Sequence, residues 1–289
     1  MAIISGTSGN DTLVGTTGND SLQPGTGNDT LDGGSGTDTV LFSGARANYS
    51  ITQTFTGYQV RDSVGGTGSK TLSNVELLQF SDSIANLSVA ADARTITTGQ
   101  LNSLIELYTA YFNRVPDASG LDYWINQYKG GMSLNGIGNS FYEAAISSAY
   151  SSLTGYASTM SNTEFINKIY QNVLGRSSAD ADGLNYWLTG LGNGSQTRGS
   201  LVNTILVAAH TYKNNADAGL AAVADLLDNK LSVGTYHAVT AGIDYANASS
   251  GYTTCQTIAA AVTATDTSAA ISLIGLSTQT DYQSPPMPV

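Results

Sequence analysis

Four aspartates recur at a constant spacing near the start of the chain, and this spacing is its most informative chemical feature. They are Asp11, Asp20, Asp29 and Asp38. Each follows a glycine by two residues and precedes an aliphatic residue by two, so four nine-residue units share one frame: unit 1 (6–14), unit 2 (15–23), unit 3 (24–32) and unit 4 (33–41). A fixed period with a carboxylate in a glycine-rich turn and one buried aliphatic side chain predicts a calcium-loaded parallel β-roll.

The chemistry of such a repeat suits calcium, which takes six to eight oxygen ligands from carboxylates and backbone carbonyls. Glycine tolerates φ > 0 and lets a tight turn aim its carbonyls inward. Two units form one winding, so units n and n+2 stack, and Asp11 pairs with Asp29 while Asp20 pairs with Asp38. We expect Ca²⁺ between stacked turns, held by these four carboxylates and by carbonyl oxygens near a second set of residues: Gly9, Asn10, Gly18, Asn19 and Gly27.

Metal binding and folding of these units are expected to be coupled. Each unit buries one aliphatic side chain, which is too little to offset an ordering cost of roughly 1–2 kcal/mol per residue, and the aligned carboxylates repel each other without a cation. The alternative is a periodic glycine- and asparagine-rich linker. The shared frame of four units without an insertion favours the β-roll.

The units resemble the RTX family of secreted bacterial proteins, and the resemblance covers roughly residues 5–92. Four later segments are similar to the β-strand cap that often follows RTX repeats: 38–44, 49–52, 58–61 and 72–82. The chain departs from the family pattern at the second unit position, where Thr7, Thr16 and Gly25 stand and only Gly34 completes a double glycine, and at Pro24 in a first position. The resemblance implies type I secretion from an uncleaved C-terminal signal, with which residues 269–289 are compatible.

Length and composition limit the number of domains and the kinds of partner that the chain can bind. The 289 residues allow about two domains, 11% of them are charged, and the formal net charge is −11. Eleven basic residues without a basic patch argue against nucleic acid or an anionic membrane as partner. We find no N-terminal signal peptide and no apolar stretch long enough to span a membrane. The single cysteine, Cys255, can form no intramolecular disulfide and is expected to be a small buried side chain.

Helical periodicity begins near Thr95. One predicted helix face carries Leu101, Leu104, Ile105, Tyr108, Tyr111 and Phe112, and Pro116 is expected to end the helix. A motif, Asp-x-x-Gly-Leu-x-Tyr-Trp, follows at 117–124 and returns at 180–187, which indicates an internal duplication of a helix-loop-helix unit. We expect Asp117 and Asp180 to cap the next helix. Two alternatives remain open: the tryptophans stack on sugars, or the two aspartates bind calcium.

This second part resembles an uncharacterised helical domain of bacterial extracellular proteins, often found with RTX repeats and in surface-layer proteins. The resemblance covers roughly residues 97–245 and supplies no catalytic residues. The expected fold class is α+β in two domains. Residues 1–92 form the calcium-binding β-roll with its strand cap, and residues 93–289 form an all-α domain with repeat units at about 97–160 and 161–215.

We predict that the chain is not an enzyme. It lacks the zinc-protease motif His-Glu-x-x-His, the Gly-x-Ser-x-Gly elbow and a Walker-type phosphate loop. His210 and His237 are both expected to be structural.

The expected function is that of a calcium-dependent structural protein of the bacterial surface or extracellular matrix. It would assemble with itself, head to tail, into a surface layer or a filament, because the first unit begins close to Met1 with exposed Ile3 and Ile4. The alternative is a calcium-stabilised adhesin or carbohydrate-binding module whose partner is a surface or matrix glycan.

Overall fold

A computed structural model describes residues 1–276, with strands in the N-terminal part and helices in the remainder. This arrangement confirms the α+β class. The predicted extended tail from Tyr282 and most of the C-terminal segment considered as a secretion signal lie outside the described residues. Within the described residues, no helix is both long and apolar enough to cross a bilayer.

Eleven short strands within residues 1–276 form two sheets. They are β1 (Ile3–Ser5), β2 (Thr12–Val14), β3 (Ser21–Gln23), β4 (Asp29–Asp32), β5 (Thr39–Leu41), β6 (Tyr49–Gln53), β7 (Tyr58–Asp62), β8 (Ser69–Ser73), β9 (Leu77–Gln79), β10 (Ile84–Asn86) and β11 (Ile243–Asp244). The first sheet has the order β1-β3-β5-β9-β10-β11, and the second has the order β2-β4-β8-β7-β6. Consecutive units therefore alternate between the sheets.

The register of the parallel pairs follows the nine-residue frame. Leu13 lies opposite Leu31 in one sheet, and Leu22 lies opposite Val40 in the other. These four aliphatic side chains are buried between the sheets. The prediction that units n and n+2 stack is thus confirmed, and the stack continues beyond unit 4 because β8 pairs in parallel with β4 and β9 with β5.

The helices are α1 (Val89–Ala93), α2 (Thr98–Phe112), α3 (Ala118–Lys129), α4 (Leu134–Ile146), α5 (Ser151–Thr154), α6 (Asn162–Leu174), α7 (Ala181–Gly192), α8 (Arg198–His210), α9 (Ala218–Thr235), α10 (Ala248–Ala260) and α11 (Ser268–Ile274). A short 3₁₀ turn covers Arg46–Asn48, and a π-helical turn covers Tyr236–Thr240. The predicted apolar face of α2 is buried in full. The helix ends at Phe112, before Pro116 is reached, because Asn113 adopts a left-handed conformation with φ of 46° at the C-cap.

The helical part contributes a strand to the first sheet. β11 pairs antiparallel with β10, and the Asn86 N–H donates to the Gly242 carbonyl at 2.7 Å. Gly242 has φ of +62°, and a Cβ there would lie 2.2 Å from the Asn86 oxygen, so the close approach requires glycine. The predicted domain boundary at residues 92/93 falls inside α1, and the two parts of the chain share one sheet across it.

Candidate metal centre

Two columns of stacked aspartates form where the turns of successive windings lie over each other. The backbone N–H of Asp11 donates to the Asp29 carboxylate at 2.9 Å, and that of Asp20 donates to the Asp38 carboxylate at 2.7 Å. Both predicted pairs are therefore in contact. Within each column, the carboxylate of one winding accepts the backbone N–H of the aspartate in the winding before it.

Asparagine side chains form a parallel ladder beside the carboxylates. The Asn10 side-chain oxygen accepts the Asn28 N–H at 2.8 Å, and the Asn19 oxygen accepts the Thr37 N–H at 3.0 Å. The predicted residues Asn10 and Asn19 thus hold the turns in register through their side chains.

Three of the four repeat aspartates are buried more deeply than charged side chains usually are. Asp20, Asp29 and Asp38 are 2%, 1% and 0% exposed, respectively. A buried carboxylate is costly unless a cation or several hydrogen-bond donors compensate for its charge. Each of these carboxylates therefore needs either a cation or several hydrogen-bond donors close to it.

In units 1 and 2 the threonine at the second position supplies donors. The Asp11 Oδ2 atom accepts from the Thr7 N–H at 2.6 Å and from its hydroxyl at 3.0 Å. The Asp20 Oδ2 atom accepts the same two bonds from Thr16, at 2.6 and 2.7 Å. Hydrogen bonds from the Ala2 and Thr16 backbone hold the pKa of Asp20 below its ordinary value. The threonine hydroxyls also accept the Gly9 and Gly18 N–H groups, at 3.1 and 3.2 Å.

Units 3 and 4 have a different turn. Gly25 and Gly34 replace the threonines with φ of +75° and +91°, and a Cβ on either would lie 2.0–2.2 Å from a carbonyl oxygen of the turn below. No threonine side chain is therefore present to close the turn, and within the described residues Asp38 Oδ2 has no hydrogen-bond partner although it is buried.

A second acid stands above Asp38. The Glu76 carboxylate accepts the Asp38 N–H at 2.8 Å, in the same way that Asp38 accepts from Asp20. Burial raises the pKa of Glu76, and the nearby Asp38 charge adds to that rise. An unpartnered carboxylate oxygen beside another acid fits a hard cation with oxygen ligands, such as Ca²⁺.

The side chains alone do not make a complete metal site. Among residues 1–276, no three His, Cys, Asp or Glu side chains are grouped closely enough to hold an ion. Any Ca²⁺ must therefore take backbone carbonyls as well, which is what the sequence predicts for the turns. The individual ligand assignments at Gly9, Asn10, Gly18, Asn19 and Gly27 stay predictions.

Asp29 has a partner that the sequence reasoning missed. The Lys70 ammonium lies 2.7 Å from Asp29 Oδ2 and also donates to the carbonyl of Gly27, another predicted ligand. Both side chains of the pair are fully buried. The available signal was the stretch 65–73, which keeps glycine at the fourth position and Thr-Leu after the sixth, but carries lysine where a repeat aspartate would stand.

The two Asp-x-x-Gly-Leu-x-Tyr-Trp motifs have the same local structure. Asp117 accepts the Gly120 N–H and Asp180 accepts the Gly183 N–H, both at 2.9 Å, which confirms the predicted capping roles. Trp187 is buried, and its indole N–H donates to the Tyr170 hydroxyl at 2.8 Å. It therefore presents no open face for a sugar. Trp124 is half-buried and packs against the main helical core.

The histidines and the cysteine lie in the helical part. His237 is fully buried with Nδ1 2.8 Å from the Pro116 carbonyl, and burial lowers its pKa to about 4, so it is neutral. His210 Nε2 lies 2.6 Å from the buried Glu106 carboxylate. Cys255 is fully buried, as predicted.

Comparison with known proteins identifies two regions. Residues 5–40 match the model of the RTX calcium-binding nonapeptide repeat (4 copies), and residues 143–213 match a domain of unknown function, DUF4214. The second match includes the motif at Asp180 but not the one at Asp117. No curated protein matches the chain. The chain therefore carries RTX calcium-binding nonapeptide repeats in its strand-rich part and a DUF4214 domain in its helical part.

Proposed function

We propose that the four units form a calcium-loaded parallel β-roll in a secreted protein, and that this protein is a structural component of the bacterial surface or extracellular matrix. The observation that carries the calcium proposal is the burial of Asp38, whose Oδ2 atom has no partner within the described residues while Glu76 lies beside it. A buried carboxylate is costly unless a cation or donors compensate for its charge, and a bound Ca²⁺ would supply that compensation at Asp38. In this proposal the chain is not an enzyme.

Calcium concentration is the proposed switch. Extracellular modules bind Ca²⁺ with dissociation constants of roughly 10⁻⁴–10⁻³ M, far above the free calcium of a cytosol. The units would then stay unfolded inside the cell and pass a type I secretion channel. They would load calcium and fold outside, in line with the typical secretion of RTX proteins.

Self-assembly is proposed to use the edges of both sheets. β1 and β2 are the terminal strands of their sheets in the part of the chain that the structure describes, and Ile3 and Val14 on them are 70% and 60% exposed. An edge strand with apolar side chains and unpaired backbone groups tends to pair with another strand. A contact between different faces of two copies gives a filament or a sheet when the symmetry does not close.

A charge substitution on the two edges tests the assembly proposal. We expect the wild type to form ordered assemblies in millimolar Ca²⁺, seen by light scattering and electron microscopy, whereas the double variant Ile3→Lys, Val14→Lys stays monomeric. Val64→Lys is the matched control, because Val64 is 72% exposed but lies in the turn between β7 and β8. A monomeric wild type, or a double variant that still assembles, contradicts the proposal.

The second candidate function is glycan binding by a calcium-stabilised adhesin. Tyr123 and Tyr186 occupy the same position of the two motifs and are 55% and 66% exposed. Each ring stands nearly perpendicular to the tryptophan that follows it. Exposed aromatic rings are surfaces on which sugar rings stack. A calcium-loaded monomer that is retained on glycans, and released when both tyrosines are changed to alanine, would favour this function over assembly.

A further inference from the structure

We propose that Lys70 is a tethered cation that takes the place of a calcium ion at the top of one aspartate column, and that its removal opens a further Ca²⁺ site between Asp29, Gly27 and Thr67. This inference rests on the proposed calcium binding of the repeats. It goes beyond that proposal because, at one level of the stack, the Lys70 ammonium occupies the place of the ion.

Residues 65–73 form a fifth turn and strand in the repeat frame. Gly68 stands at the fourth position with φ of +87°, and a Cβ there would lie 2.1 Å from the Gly27 carbonyl, just as one at Gly27 would lie 2.2 Å from the Gly9 carbonyl. The Ser69 N–H donates to the Asn28 side-chain oxygen at 2.9 Å, which extends the Asn10–Asn28 ladder by one level.

The strand that follows this turn has the repeat register as well. Leu72 lies opposite Leu31, and both are buried in the same core as the aliphatic residues of the four units. In this frame Lys70 lies opposite Asp29, at the sixth position of the unit. A cationic side chain thus stands where the four preceding units place an aspartate.

The contacts of the Lys70 ammonium are those of a bound cation. It lies 2.7 Å from each of three oxygens: Asp29 Oδ2, the Gly27 carbonyl and the Thr67 carbonyl. One carboxylate from the lower turn, one carbonyl from the lower turn and one carbonyl from the upper turn are ligand types that Ca²⁺ uses at 2.3–2.6 Å. The ammonium donates hydrogen bonds to the two carbonyls and forms an ion pair with the carboxylate, so all three oxygens face one positive charge.

The two columns therefore end differently. One ends at Asp38 and Glu76, two acids with an unpartnered carboxylate oxygen. The other ends at Asp29 and Lys70, a neutral pair. The interface between unit 3 and the fifth turn should consequently be stable without metal, whereas the Asp38 level needs the ion.

Counting bound calcium tests the inference. Native mass spectrometry in millimolar Ca²⁺ should find one more ion on Lys70→Ala than on the wild type, and the extra ion should be lost in the double variant Lys70→Ala, Asp29→Asn. Lys129→Ala removes an ammonium from another ion pair, that with Asp92, and serves as the control with an unchanged count.

Stability in chelator gives an independent readout. Without calcium, Lys70→Ala should unfold its strand-rich part at lower denaturant than Lys129→Ala, because Asp29 is left buried and unpaired, and the added Asp29→Asn change should restore part of the loss. An unchanged ion count together with wild-type stability in chelator overturns the proposal. If the wild type binds no calcium, the proposed function fails, while the chelator comparison still decides the role of Lys70.

Discussion

The backbone N–H of Asp20 donates to the carboxylate of Asp38, which follows it by 18 residues and lies 2.7 Å away. The same relationship links Ala2 to Asp20 and Asp38 to Glu76. Each acid in this column therefore binds the backbone of the winding before it. A change at one level should disturb the level below as well as the metal at its own level.

Asp38→Asn should raise the calcium concentration at which the repeats fold. The amide keeps one oxygen for the Asp20 N–H but removes the negative charge that would bind the ion. We expect a shift in the midpoint of about tenfold, equivalent to about 1.4 kcal/mol, measured by circular dichroism during a calcium titration.

The matched control for that experiment is Asp182→Asn. Asp182 is an exposed aspartate in the first turn of α7, outside the repeats. Its titration curve should coincide with that of the wild type. Equal midpoints for Asp38→Asn and Asp182→Asn would contradict the assignment of Asp38 to a calcium site.

Removal of calcium should affect the two parts of the chain unequally. The helical part buries a large apolar core of its own, whereas units 1–4 bury one aliphatic residue each. Hydrogen exchange followed by mass spectrometry should show fast exchange over residues 12–41 in chelator and slow exchange in millimolar Ca²⁺. Peptides from α2 should be protected in both. Repeats that are equally protected with and without calcium would count against coupled folding.

Tyr170→Phe should destabilise the helical part by about 1–3 kcal/mol, because it leaves the buried Trp187 N–H without its acceptor. Tyr186→Phe makes the same chemical change at an exposed ring and should have no effect beyond ~0.5 kcal/mol. Both values come from denaturant unfolding monitored by tryptophan fluorescence. Equal decreases in the free energy of unfolding for the two variants would show that the Trp187–Tyr170 hydrogen bond does not stabilise the helical part.

Asp244 should make stability depend on pH. Burial raises its pKa to about 6, from an ordinary value of 3.8. Between these values the carboxyl is ionised in the unfolded chain but keeps its proton in the folded one. The contribution of Asp244 to the free energy of unfolding therefore falls as pH rises, and the fall is complete above pH ~6.

Asp244→Asn should cancel that loss, since the amide can still bond to the Ser119 N–H and hydroxyl as the carboxyl does. The variant should gain on the order of 1–3 kcal/mol relative to the wild type between pH 4 and pH 8. Thermal or denaturant unfolding at both pH values measures the difference. A difference between variant and wild type that is the same at both pH values would contradict the role of Asp244.

The sequence predicts those features that depend on local spacing. The nine-residue frame is sufficient to pair Asp11 with Asp29 and Asp20 with Asp38, since stacking repeats keep their register. The caps at Asp117 and Asp180 follow from a side chain that can reach an N–H three residues later. The buried face of α2 follows from helical periodicity.

Features that depend on distant contacts were missed. The inserted hairpin of β6 and β7 interrupts the period before Lys70, and the aspartate signal is absent from that unit, so the fifth turn could not be recognised by its carboxylate. β11 has two residues, too few for any alternation, and exists because Gly242 allows close contact with Asn86. The end of α2 at Phe112 depends on a left-handed cap at Asn113, which a proline signal at Pro116 does not predict.

The pairing of β10 with β11 determines where this chain can be cut to make recombinant fragments. A cut at residue 92 would strip residues 84–86 of the neighbour that covers their outer edge, and the isolated N-terminal fragment would offer that edge to other copies of itself. Aggregates of such a fragment would then report on the cut rather than on the natural assembly. A fragment that carries residues 243–244 on a linker would avoid the artefact.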